Sequence, residues 1–359
     1  MSLPQAPASN PAAASFVPLA ASLRGDDQCL ETLHTGSIAV VEPDGRIVAR
    51  LGDPEQRFPL RSTIKSIQLL PLLLDGLDTE FALSEADLAV MMSSHSGEEM
   101  HLQRIARLLQ RFDLKPALLR CGSHPPQLDQ DRLKLLQNGR EPSVLHCNCS
   151  GKHTGMLAVC VHNGWPVETY LEPDHPLQIR ILNLIRLFAE IPQAQRLQWY
   201  VDGCSLPTYA LSLLELARVF ARLANPDAGM QIEQQAAAPL IAKLRRAAWQ
   251  HPEMIAGSQR LDTRLMRRYG GKLFSKSGAD GMYAMALTAT PDHPRGLGVA
   301  FKIADGDPDN RFRELVATSL LGWLEPGEFA GINDFMDTRR LNNAGTKVGI
   351  VQPIYQLKR

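Results

Sequence analysis

The chain has 359 residues, with 38 basic and 38 acidic side chains and a net charge of zero. A nucleic-acid partner asks for a basic surface, so that class is excluded. Hydrophobic residues make up 44% of the chain, enough for a sizeable core, and no apolar run reaches the ~20 residues of a membrane span.

The first fifteen residues, MSLPQAPASNPAAAS, have neither a charged n-region nor an apolar h-region. They read as a disordered tail rather than a signal peptide. GSIAVVEPDGRIVARLGD (36–53) reads as a hairpin, two β-rich runs flanking the turn Pro43-Asp44-Gly45. In RSTIKSIQLLPLLL the apolar residues Ile64, Ile67, Leu70 and Leu74 follow helical spacing, which puts Ser62 near a helix start. Pro71 is expected to kink or shorten that helix. SEADLAVMMSSHSG opens with a Ser-x-x-Asp start signal, and EEMHLQRIARLLQRF and TYALSLLELARVFARLA (208–224) also read as helices. MYAMALTAT (282–290) and GLGVAFKIA (296–304) are strand-like again, and RFRELVATSLLGWL (311–324) is a helix with one apolar face.

Two isolated hairpins are marginal alone. The economical solution is an α+β fold: one antiparallel sheet drawn from both chain ends (about 16–60 and 270–359), flanked by helices. A helical insert (about 61–269) lies between its halves, and the whole of 16–359 forms a single domain.

Ser62 and Lys65 stand three apart, so on a helix the Lys65 amine is within reach of the Ser62 oxygen. A hydroxyl is a weak nucleophile without a base, and a lysine is a base only when neutral, which requires burial or nearby positive charge. Ser-x-x-Lys is common by chance in a chain with 20 serines and 10 lysines. Its weight comes from FSKSGADG (274–281), which places Lys276-Ser277-Gly278 much later in the chain. Serine-active penicillin-recognising enzymes show that same order. In VLHCNCSGKHTGM (144–156), Cys149, Lys152 and His153 crowd one short segment, and VDGCSLP (201–207) adds Cys204. Three readings stay open there: a Cys149–His153 nucleophile–base pair, metal ligands drawn from Cys147, Cys149, His153 and Cys204, or a turn with buried thiols. Six cysteines are too few for a disulfide scaffold in a chain this long, so reduced thiols in a cytoplasmic protein are expected.

RSTIKS, SSHSGEEMH, CNCSGKHTGML, DGCSLPTYALSL and KSGADG, in that order, resemble the L-asparaginase II family, the rhizobial-type or class 3 L-asparaginases, over roughly residues 17 to 355. The resemblance implies a fold like that of serine β-lactamases and bacterial glutaminases. It implies hydrolysis of L-asparagine to L-aspartate and ammonia by a homodimer. It implies two Ser-Lys pairs, Ser62 with Lys65 and Ser94 with Lys276, and a zinc ion, one per subunit, held by Cys149, Lys152 and Cys204. Asp202, His153 and Arg61 take supporting roles. Convergence of both lysines on one cleft predicts depressed lysine pKa values and activity that climbs into mildly alkaline pH. The alternatives are a glutaminase or other amidohydrolase, a penicillin-type serine hydrolase, and a non-catalytic zinc-binding module.

Overall fold

The computed structural model describes residues 15–227, 237–308, 310–335 and 337–357. The tail expected over 1–15 therefore lies, except for Ser15, outside the described residues. No helix among those residues is long and apolar enough to cross a membrane.

Eleven strands are described: β1 (Val17–Arg24), β2 (Cys29–Val41), β3 (Ile47–Leu51), β4 (Arg57–Pro59), β5 (Trp199–Val201), β6 (Pro207–Ser212), β7 (Leu273–Ser277), β8 (Met282–Leu287), β9 (Leu297–Ile303), β10 (Arg339–Leu341) and β11 (Lys347–Pro353). Eight form one sheet in the order β10-β11-β1-β2-β9-β8-β7, with β3 beside β2. Every pairing in it is antiparallel. The two chain ends meet where β2 pairs with β9, from Gly36↔Ile303 to Val41↔Gly298. This is the split sheet expected from the sequence. The 36–53 hairpin turns at Gly45, whose φ of 88° suits a residue without a Cβ.

Alternation along the strands explains both faces. Ile38, Val40, Tyr283, Met285, Val299 and Phe301 point to one side, where the helix Arg311–Leu324 covers them with Leu315, Val316, Leu320 and Leu321. Ala39, Ala284, Ala286 and Ala300 point to the other. Small residues there admit the helix Leu213–Ala224 very closely. A Cβ on Gly298 would stand 1.8 Å from the Ala217 carbonyl oxygen, so only glycine fits.

One helix starts later than its pattern suggests. Residues 208–212 belong to β6, which pairs with β4 and β5 in a small second sheet inside the helical insert. The helix begins at Leu213 because Ser212 caps it: Ser212 Oγ accepts from the Glu215 N–H (3.1 Å) and the Glu215 carboxylate accepts from the Ser212 N–H (2.8 Å). Pro71 sits inside the helix Lys65–Leu74, which runs on to its end three residues later.

Candidate active site

Ser62 lies in a short 3₁₀ turn, Arg61–Ile64, entered through Arg61 at a left-handed φ of 50°. Lys65 follows as the first residue of the helix and is fully buried. Ser93 and Ser94 come just after the helix Glu85–Met91, in a loop pinned from several sides. The Ser94 N–H donates to the Ile255 carbonyl (2.8 Å) and Ser96 Oγ to the Ala256 carbonyl (2.6 Å). His95 Nδ1 accepts from the Gly97 N–H (3.1 Å), which leaves its Nε2–H to donate to Ser150 Oγ (3.0 Å). Ser93 Oγ turns back to the Val90 carbonyl (2.7 Å), so Ser94 is the serine that faces the cleft.

Lys276 stands on β7, whose outer edge has no strand beside it among the described residues. Its Nζ is 2.8 Å from Ser94 Oγ, and Lys65 Nζ is 3.0 Å from the same oxygen. Lys65 also donates to the Ser93 (2.6 Å) and Asn148 (3.3 Å) carbonyls. One hydroxyl therefore bridges two buried amines. It donates its single proton to one and accepts from the other. Burial, and then the Lys65 charge, push the Lys276 pKa well below the ordinary lysine value, with Asp262 opposing. Asp262 is itself fully buried. Burial works against its charge, but Lys276, Arg260 and Ser277 outweigh it and its pKa is lowered. It accepts from Ser277 Oγ at 2.6 Å.

Ser62 is half-buried, and no hydrogen bond joins it to Lys65. Both serines line a cavity of ≈450 Å³ together with Gln127, Asn148, Arg260, Ser277, Asp280, Asp307, Asn310 and Arg313. A larger hollow of ≈590 Å³ lies along the helix Pro176–Ala189 and contains none of the serine or lysine residues of interest.

Cys149, Lys152 and Cys204 come together behind this cleft, all buried. Lys152 Nζ donates to Cys204 Sγ at 3.2 Å, close to the ~3.5 Å that an amine and a thiolate sharing a tetrahedral zinc would keep. Hydrogen bonds from Cys147 and Cys204 draw the Cys149 thiol well below its ordinary pKa, and Lys152 adds to this. Burial opposes the Lys152 charge, but Cys149, Cys204 and Asp202 outweigh it and its pKa is raised. A thiolate beside a protonated amine has the charge balance that a divalent ion would take over by displacing protons. The donor set fits zinc. It fits only with lysine as a ligand, since no three Cys, His, Asp or Glu side chains converge in a metal-type cluster among the described residues. His153 turns Nδ1 to Tyr170 Oη (2.7 Å), and burial followed by the Lys152 charge holds its pKa down to about 3. No side-chain hydrogen bond links it to Cys149, and it is neutral. Cys147 Sγ donates to the Cys121 carbonyl (3.4 Å). Arg61 joins the two clusters: Nε donates to Asp202 Oδ1 (2.6 Å) and Nη1 to Asp280, while the Cys204 thiol leans on Asp202 Oδ2 (3.8 Å).

The sequence profile of the L-asparaginase II family matches residues 21–353. The chain belongs to the L-asparaginase II family. As a member it is an amidohydrolase with a small-molecule substrate. Several solved structures are similar at low identity. A crystal structure of Mglu is 14% identical with a TM-score of 0.45, over 82% of this chain and 68% of that one. Mglu in its tris and glutamate form is 13% identical with a TM-score of 0.45, over 82% of this chain and 60% of that one. A probable glutaminase from Bacillus subtilis, complexed with 6-diazo-5-oxo-L-norleucine, is 13% identical with a TM-score of 0.40, over 81% of this chain and 83% of that one. No curated protein sequence matches significantly.

Three charged residues in and beside the cleft were not singled out from sequence: Arg260, Asp262 and Arg313. Arg260 Nη2 donates to Ser277 Oγ (2.9 Å) and Nη1 to Gln127 Oε1 (3.0 Å) and the Ser94 carbonyl (3.4 Å). The signal was faint. Charged residues at helix starts, here in QRLDTR (259–264) and RFRELV (311–316), ordinarily mark solvated ends.

Proposed function

We propose that the protein hydrolyses L-asparagine to L-aspartate and ammonia through an acyl-enzyme on a serine activated by lysine. The observation that carries this reading is Ser94 Oγ held between Lys65 and Lys276 in a cleft shared with Ser62, with the Lys276 pKa pushed down. Ser62, three residues before Lys65, is the nucleophile in the first reading. Charged Lys65 first gives a proton to Ser94 as Ser94 gives its own to an uncharged Lys276. Lys65, now neutral, takes the Ser62 proton as the Ser62 oxygen attacks the side-chain amide carbon. Returning the proton along the same path releases ammonia. Water then cleaves the ester by the same proton route, yielding aspartate and free serine. The two lysine contacts at Ser94 favour a second reading, in which Ser94 attacks directly and Lys276 is its base.

Cys149, Lys152 and Cys204 are the residues that would hold zinc, and a bound ion would supply a fixed positive charge beside the cleft. Six unpaired cysteines suit a reducing, cytoplasmic setting, and a homodimer is part of the same proposal.

Ammonia release from L-asparagine and L-glutamine and ring opening of a chromogenic β-lactam, measured side by side, test the activity. Turnover of asparagine alone or above all is expected. Preference for glutamine or the β-lactam replaces the reading with that substrate, and no turnover of any leaves the zinc module. A diazo-oxo analogue of asparagine, followed by peptide mass mapping, then decides between Ser62 and Ser94 as the alkylated residue.

A further inference from the structure

Arg313 is an unusual cation in this molecule. It lies in the first turn of the helix Arg311–Leu324 and is 4% exposed. Its backbone N–H is capped by Asp307 Oδ2 (2.8 Å), but its guanidinium has no ion pair within 4 Å among the described residues, and Nε has no hydrogen-bond partner. Several other buried or half-buried arginines are matched with carboxylates, Arg222 with Glu190, Arg104 with Asp87 and Arg264 with Glu314, and buried Arg186 is held by the Pro192 and Gln195 carbonyls. A guanidinium withdrawn from water and left without an anion is costly, and such a group is retained when something else requires it. Burial, and then repulsion by Arg260, lower the Arg313 pKa, the mark of a charge short of counterions. Arg260 has no carboxylate partner either; its bonds go to Gln127, Ser94 and Ser277. Both arginines line the cavity that holds Ser62 and Ser94.

We propose that Arg313, flanked by Arg260, is the carboxylate anchor of this cleft and binds the α-carboxylate of an amino-acid amide. The assignment rests on the amidohydrolase reading above and adds a recognition residue to it. In asparagine the amide carbon and the carboxylate carbon are three bonds apart, so both ends must be held within one small space. Arg260 reaches the Ser94 carbonyl at 3.4 Å, and Arg313 lines the same ≈450 Å³ cavity as both serines. A planar guanidinium suits a bidentate carboxylate. The arrangement gives the site a reason to prefer the free amino acid over an asparagine within a peptide, whose α-carboxyl carries no charge.

The test compares L-asparagine with L-asparagine α-amide, which lacks the anionic carboxylate, in wild type and Arg313→Met. Wild type is expected to favour asparagine, and the variant to lose about 10- to 100-fold in kcat/KM on asparagine, mostly through KM. Its loss on the α-amide is expected to be small, so that the preference collapses. Arg313→Lys should recover part of it. The melting temperature of Arg313→Met should not fall below that of wild type, since an unpartnered buried charge is removed. Equal losses on both substrates, or an unchanged KM for asparagine, overturn the anchor and leave the carboxylate to the Cys149–Lys152–Cys204 cluster. Calorimetric titration with L-aspartate separates this proposal from the activity itself. Wild-type binding that disappears in Arg313→Met supports the anchor even if no amide is turned over. Binding that is absent in wild type or undiminished in the variant overturns it whatever the turnover.

Discussion

Two amines that share one hydroxyl make the charge of each depend on the other. The depressed pKa of Lys276 owes its second-largest part to Lys65. Activity that needs neutral Lys276 should rise with pH about a midpoint well below the ~10.4 of a free lysine. Lys65→Met removes the repelling charge, so the Lys276 pKa climbs. The rising limb of residual kcat at saturating asparagine should then move to higher pH, and a limb that stays put or moves down contradicts the arrangement. The same depression has a stability signature. Between its folded pKa and ~10.4, Lys276 is protonated only in the unfolded chain, so wild type loses stability as pH falls through that window. Lys276→Met abolishes the loss. Urea unfolding should find it more stable than wild type at pH 7 and equal near pH 10. Behind the cleft, Cys149→Ser and Cys204→Ser should lose zinc by elemental analysis. Cys147→Ser should keep it, because that thiol is turned to the Cys121 carbonyl.

At the scale of elements, close approach decides more than propensity does. Gly298→Ala puts a methyl into the backbone of the helix Leu213–Ala224, and denaturant unfolding should show a loss of more than ~2 kcal/mol. Ser212→Ala, at the cap of that same helix, should cost only about 1 kcal/mol. These elements also show what was legible beforehand. MYAMALTAT and GLGVAFKIA read as strands on either side of a Pro/Asp/His/Gly-rich turn, and the Ser-x-x-Asp signal at Ser84 marked a real capping box. Residues 207–212 were not legible as a strand. Their partners at 57–59 and 199–201 are three residues long and carry no periodic signal of their own. The motifs named Ser94 and Lys276, but the contact of Lys276 with the hydroxyl that Lys65 also holds depends on β7 meeting the 93–98 loop, a tertiary fact. Arg313 and Asp262 were hidden because a buried unpaired charge is spelled with the same letters as a solvated one.

For the whole molecule, the sheet closes only when both chain ends are present. Deleting residues 339–357 removes β10 and β11 and bares the edge of β1. Such a truncation should aggregate on heating at a lower temperature than the full chain, read by light scattering, although it touches no residue of the cleft. The pairing of β2 with β9 has a further consequence, in time rather than space. On the ribosome Val41 is made long before Leu297, and at about 5–20 residues per second the interval is roughly ten to fifty seconds. Throughout it the nascent hairpin carries Ile38 and Val40 with neither their strand partner nor their covering helix. The newborn chain is thus a client for holding chaperones until its last quarter emerges. Stalled chains ending before residue 297 should be cut by protease in the 17–51 segment, while chains extended past Leu324 and clear of the exit tunnel should be protected there.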